Sequence, residues 1–97
     1  MKRDQALAVL RNNWDRIARD FGVRTIALFG STARDEADAH SDIDILVAFD
    51  GPATFNGYTG LKYHLEDLLE AKVDLVIESG LKPRAKTLVQ RDAILVA

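Results

Sequence analysis

The sequence predicts an α/β fold, a small mixed sheet of three to four strands packed with helices, and three observations predict it. Three short runs rich in aliphatic and β-branched residues, Thr25–Phe29, Ile43–Phe49 and Lys72–Ile77, read as strands. Around and between them, apolar residues recur at the three- and four-residue spacing of helices. The 97 residues, 47% hydrophobic and 29% charged, have the composition of one ordinary globular domain, expected to span residues 1–97.

The elements follow in order. Leu7, Leu10, Trp14, Ile17 and Phe21 form one apolar stripe and predict one helix, with Asp4 able to cap its start and Gly22 able to end it. Trp14 lies on that stripe and is expected in the core. The first strand follows, then a Gly30-Ser31 turn and a short helix over Thr32–Ala37 that Ser31 begins. His40 sits in the turn before the second strand and, like His64, lacks the spacing of a metal ligand.

Asp50-Gly51-Pro52 closes the second strand as a turn, and Thr54 caps a helix reaching Glu70. Its apolar face is Tyr58, Leu61, Leu65, Leu68 and Leu69, while Gly57 and Gly60 weaken its first turn. Phe55 and Tyr58 are able to stack on a base, but burial in the core is the simpler expectation for both. After the third strand, Pro83 suits the first turn of a helix running to Arg91. Ala93–Ala97 is apolar and reads as a last strand or a packed helix tail.

Several functional classes are excluded. The chain has no cysteine, hence no disulfide or thiolate metal site, which agrees with a reducing, cytoplasmic setting. No apolar run approaches the roughly 20 residues of a membrane helix. Neither Gly-x-x-x-x-Gly-Lys-Ser/Thr nor Gly-x-Gly-x-x-Gly occurs, so P-loop and Rossmann sites are unsupported. A net charge of −2 argues against direct nucleic-acid binding. That charge is unevenly spread. Six acids and no Lys or Arg fall between Asp35 and Asp50, whereas four basic residues and one acid follow from Lys82 onward. An acidic centre of this kind is either solvated surface or a cation site.

The spacing of the acids favours the cation site. Side chains alternate along a strand, so Asp42 and Asp44 share one face while Ile43, Ile45 and Val47 share the other. Their Cα atoms stand about 6.6 Å apart, twice the strand rise. Carboxylates at that separation can bridge two divalent ions about 3.5–4 Å apart, the arrangement of two-metal phosphoryl-transfer sites. Mg²⁺ suits it, because it takes one or two carboxylates and leaves its other positions to water and phosphate. Asp44 lies inside an apolar run, where an unpaired charge is penalised; structural ion-pair networks also place charges in such positions. Asp74 interrupts the third strand in the same way and would complete a three-carboxylate cluster if the strands are neighbours, with Glu78 as the fallback. Gly30 allows a close backbone approach, and Ser31 opens a helix whose free N–H groups suit phosphate oxygens. Arg34 has two equal readings, pairing with phosphate or with Glu36 or Asp38.

Gly30-Ser31-Thr32-Ala33-Arg34, then Glu36-Ala37, then Ser41-Asp42-Ile43-Asp44-Ile45-Leu46-Val47 resembles the motif pair of the DNA polymerase β-like nucleotidyltransferase superfamily. More narrowly it resembles the minimal nucleotidyltransferase proteins, including antitoxins encoded beside HEPN-domain toxins. Two motifs stand in the right order and separation, and the later Val73-Asp74-Leu75-Val76 also fits. The resemblance implies a nucleotidyltransferase fold and transfer of a nucleoside monophosphate, AMP from ATP, to a hydroxyl with release of pyrophosphate. It assigns the triphosphate to Gly30 and Ser31. It assigns two Mg²⁺ ions to Asp42, Asp44 and Asp74, and proton removal from the acceptor to Asp74. It also implies a hetero-oligomeric HEPN toxin partner whose tyrosine is modified. The small size carries a matching expectation, that the acceptor is presented by another protein or a second copy. A second class of function stays open here: a non-catalytic antitoxin that neutralises its partner by binding.

Overall fold

The computed structural model describes residues 2–38 and 41–97, so the turn position His40 lies outside the described residues. Helices α1 (Arg3–Asn12) and α2 (Trp14–Phe21) come first, followed by β1 (Val23–Phe29) and one short helical turn, α3 (Gly30–Ala33). β2 (Ile43–Phe49), the long helix α4 (Phe55–Leu69) and β3 (Val73–Ile77) follow. A 3-10 turn over Glu78–Gly80 leads into α5 (Pro83–Asp92) and β4 (Ile94–Leu95). The expected α/β fold with a mixed sheet is what forms: four strands in the order β3-β2-β1-β4. β1 runs antiparallel to both β2 and β4, and β2 runs parallel to β3.

The period-two pattern of β2 decides its two faces. Ile43, Ile45 and Val47 are at most 2% exposed and join Leu10, Ile17, Leu61, Leu65 and Leu69 in one core with Ile26 and Leu28 of β1. Helices α1, α2 and α4 therefore cover one side of the sheet, and their apolar stripes are the ones the sequence spells out. The other face of β2 carries Asp44. Thr54 caps α4 as expected, its hydroxyl accepting from the Gly57 N–H at 3.0 Å. Tyr58 is partly buried against the core and donates its hydroxyl proton to the Leu75 carbonyl at 2.6 Å, tying α4 to β3 one residue beyond Asp74.

Four expectations need correction. The first helix is two helices, broken at Asn13. The Asn13 side-chain amide donates to the Val9 carbonyl at 2.8 Å, and its backbone N–H shortens to the Leu10 carbonyl, so the regular pattern stops. Its start has no side-chain cap: Lys2 is the flanking residue and Asp4 lies within the first turn. The helix expected over Thr32–Ala37 ends at Ala33, because Asp35 turns left-handed at φ 60°, a conformation Asp tolerates better than most residues. Phe55 is 82% exposed rather than core, since it opens α4 before the buried stripe of Leu61, Leu65 and Leu69 begins. The terminal segment, by contrast, takes the first of its two expected forms, a strand, and the Leu95 and Val96 carbonyls accept from Arg11 at 3.2 and 3.4 Å.

Candidate active site

One row of residues crosses the sheet. Phe29 at the end of β1 is registered against Asp44 of β2, and Asp44 is registered against Asp74 of β3. Neighbouring strands lie about 4.8 Å apart, so in-register side chains on one face meet. The Asp44 and Asp74 carboxyl groups are close enough to hydrogen-bond. Asp42 stands one residue before β2 and is exposed, as is Asp74, whereas Asp44 is partly buried. The site is thus less enclosed than two inward acids would make it: only Asp44 is drawn in.

Hydrogen bonds hold the residues on either side of Asp42. Ser41 accepts from the Asp38 N–H and donates to the Asp38 carboxylate, both at 3.2 Å. The Ile43 N–H donates to the Lys72 carbonyl at 2.9 Å, which seats the start of β2 beside the start of β3.

Directly after Phe29, Gly30 has φ 70°, a left-handed backbone that L side chains avoid. A Cβ placed on Gly30 would overlap the Oδ2 of Asp44 and come 2.9 Å from its Cγ. Glycine is therefore required twice over, by the backbone and by the carboxylate. Ser31 is half-buried in the following turn, and its carbonyl accepts from the Glu36 N–H at 2.9 Å. Thr32 is buried, with its hydroxyl unpartnered among the described residues.

Arg34 roots in the same turn, its N–H donating to the Gly30 carbonyl at 3.1 Å. The structure pairs its side chain with Glu36 (Nε to Oε2, 3.1 Å) and with Asp92 at the end of α5 (Nη1 to Oδ2, 2.8 Å). Asp38, the other expected partner of Arg34, accepts from the Ser41 hydroxyl. Asp92 is the residue that sequence reasoning missed. Its one local signal is that it stands alone as an acid in the basic segment after Lys82. Glu78, the fallback third acid, lies in the 3-10 turn and pairs with Lys86 at 3.6 Å. His64 is placed away from the acids, packed against the Phe21 ring at 5.0 Å.

The electrostatics describe a site short of positive charge. Burial, the adjacent Asp74 charge, the hydrogen bond with Asp74 and then the Asp42 charge all push the Asp44 carboxyl above the usual carboxylate range. Only Arg34 acts in the opposite sense. Two carboxyl groups in contact, with no soft ligand among them, form a hard oxygen donor set that a divalent cation would relieve. Among the described residues no three His, Cys, Asp or Glu side chains converge as a finished metal cage, and Asp42 and Asp74 are exposed while Asp44 is partly buried. A surface cavity of about 270 Å³, lined by Arg24, Phe49, Ile77, Glu78 and Lys86, lies toward the opposite end of β2 and β3 and takes in none of Asp42, Asp44 and Asp74.

A family model described as "Nucleotidyltransferase domain" matches residues 10–96. The chain belongs to that family. It is a nucleotidyltransferase. The protein adenylyltransferase MntA of Thermococcus cleftensis is 43% identical over 76 residues, covering 78% of this chain and 77% of that one. A solved structure described as a minimal nucleotidyltransferase superposes with a TM-score of 0.82 at 39% identity, over 97% of this chain and 95% of the other. A toxin–antitoxin structure with AMP-PNP gives 0.75 at 25% identity, over 90% and 72% of the two chains. At 22% identity and a TM-score of 0.69, over 94% and 71% of the chains, the fold alone is shared with a Shewanella oneidensis MNT antitoxin complex, whose HEPN toxin is tri-AMPylated. No helix among the described residues is long and apolar enough to cross a membrane.

Proposed function

We propose that this nucleotidyltransferase is a Mg²⁺-dependent protein adenylyltransferase that moves AMP from ATP onto a tyrosine hydroxyl of a HEPN-domain toxin, silencing it as a cytoplasmic antitoxin. The observation that carries this reading is the registered pair Asp44 and Asp74, seated against a glycine that no other residue can replace. Protein adenylyltransferase is also the activity in the name of the Thermococcus relative. A toxin–antitoxin structure with a nucleotide analogue shares the fold, which agrees with a toxin as partner.

In this reading Asp42, Asp44 and Asp74 hold the metal, and Gly30 and Ser31 let the backbone come close to the β- and γ-phosphates. Mg²⁺, when bound, supplies charge neutralisation of the triphosphate and of the departing pyrophosphate. Asp74, the exposed member of the pair, accepts the proton of the acceptor hydroxyl. The acceptor oxygen forms a bond to the α-phosphorus, the bond from that phosphorus to the α–β bridging oxygen breaks, and pyrophosphate leaves. Positioning and charge account for the rate, which is what phosphoryl transfer asks of a protein.

The position of the label in ATP tests the reaction class. With a HEPN toxin partner and Mg²⁺, ATP labelled at the α-phosphate is expected to label the partner, and ATP labelled at the γ-phosphate is expected to leave it unlabelled. Transfer from the γ-phosphate would make the protein a kinase and overturn the assignment.

A further inference from the structure

We propose that Asp92 is a positioning residue for nucleotidyl transfer, holding the Arg34 guanidinium beside the Gly30–Ser31 turn so that it can engage the triphosphate of the substrate. This rests on the reading of the Gly30–Asp44–Asp74 cluster as the transfer site.

The pair is unlike the other ion pairs among the described residues. Arg3–Asp4 and Arg19–Asp20 join chain neighbours, whereas Asp92 reaches Arg34 across 58 positions of sequence and at 2.8 Å. Arg34 is also the one described cation that engages two carboxylates. Its partner is held independently. Asp92 ends α5 and is separated by Ala93 alone from β4, which pairs with Ala27 and Leu28 on the strand that delivers Gly30. The carboxylate is thus placed by the same strand that places the turn.

Two of the three guanidinium nitrogens are engaged, Nε by Glu36 and Nη1 by Asp92. A guanidinium carries five N–H donors in one plane, so fixing two nitrogens orients the third. Nη2 has no contact in either pair and is left for a phosphate oxygen, a charge-assisted bond of the stronger kind. Partly exposed ion pairs add little to folding stability. Orientation is what this one provides.

Steady-state kinetics on the full chain with ATP, Mg²⁺ and the acceptor protein test the role. Asp92→Asn is expected to raise the KM for ATP roughly tenfold, with the KM for acceptor and the Tm close to wild type. Asp92→Glu, which keeps the carboxylate, is expected to recover most of the loss. In an Arg34→Gln background, Asp92→Asn is expected to add nothing, since the two residues act as a unit. An unchanged KM for ATP in Asp92→Asn, or an equal loss in both backgrounds, would overturn the proposal. Asp44→Asn is run alongside: if it abolishes transfer while Asp92→Asn is silent, only the Asp92 role fails, whereas normal transfer by Asp44→Asn would remove the site itself.

Discussion

Asp44→Asn is expected to abolish nucleotidyl transfer and, in the metal-free protein at pH 7, to raise thermal stability. The two effects have one cause. Asp44 is held partly buried beside Asp74, and its carboxyl titrates above the usual range because of that burial and that neighbour. Asparagine keeps the size and hydrogen-bonding capacity of the side chain but removes the charge and the metal ligand. Loss of an outer partner of a metal ligand already costs roughly 10- to 100-fold, so loss of the ligand itself should cost at least about a hundredfold.

The sign of the pH effect follows from linkage. A carboxyl whose folded pKa is raised favours the folded state while protonated, fully below its unfolded value of about 3.9. That contribution is lost as pH rises through the folded value. At pH 7 the wild type therefore folds with an unfavourable charge that Asp44→Asn does not have. The gap in Tm is expected to narrow as pH falls through the folded Asp44 value. Mg²⁺ should raise the Tm of the wild type and not that of the variant, because the metal would offset the charge that Asp44 carries and asparagine lacks. Thermal unfolding from pH 4 to 8, with and without Mg²⁺, checks each part. A variant less stable than wild type at pH 7 would show that the two acids stabilise the fold rather than strain it.

Gly30→Ala should lose transfer as severely while moving stability the other way. A left-handed backbone costs an L residue about 1–2 kcal/mol. In a domain of 60–100 residues each kcal/mol shifts Tm by roughly 4–8 °C, so a fall of that order is expected. The new methyl group would also occupy the space of the Asp44 carboxylate, driving out the most buried of the three acids. The same loss of transfer with opposite shifts in Tm distinguishes displacement of Asp44 from removal of its charge. Near-normal transfer by Gly30→Ala would mean that the close approach of glycine and carboxylate is not needed.

Much of this site can be read before any fold is known, and the limits of that reading are physical. Alternation along a strand is a local property, so Asp42 and Asp44 stand out against Ile43, Ile45 and Val47 from sequence alone. The pairing of Asp44 with Asp74 depends on the register of two strands separated by a whole helix, which no local pattern states. Asp92 is further out of reach, because its partner lies 58 residues away and surface carboxylates are common. At Asn13 and Asp35 a helix continues on propensity and stops in the structure, in one case through a side-chain bond to Val9 and in the other through a left-handed turn. Phe55 shows the converse error. Aromatic type predicts burial, whereas its place at the very start of α4 leaves it in solvent.

The most direct test of the account is the intact mass of a HEPN toxin partner co-expressed with this protein, as wild type and as Asp42→Asn/Asp44→Asn. The account predicts a gain in whole AMP units on the partner with wild type, located at a tyrosine, and no gain with the variant. An unmodified partner in a stable complex with the wild type would contradict it, leaving a nucleotidyltransferase fold that neutralises by binding alone.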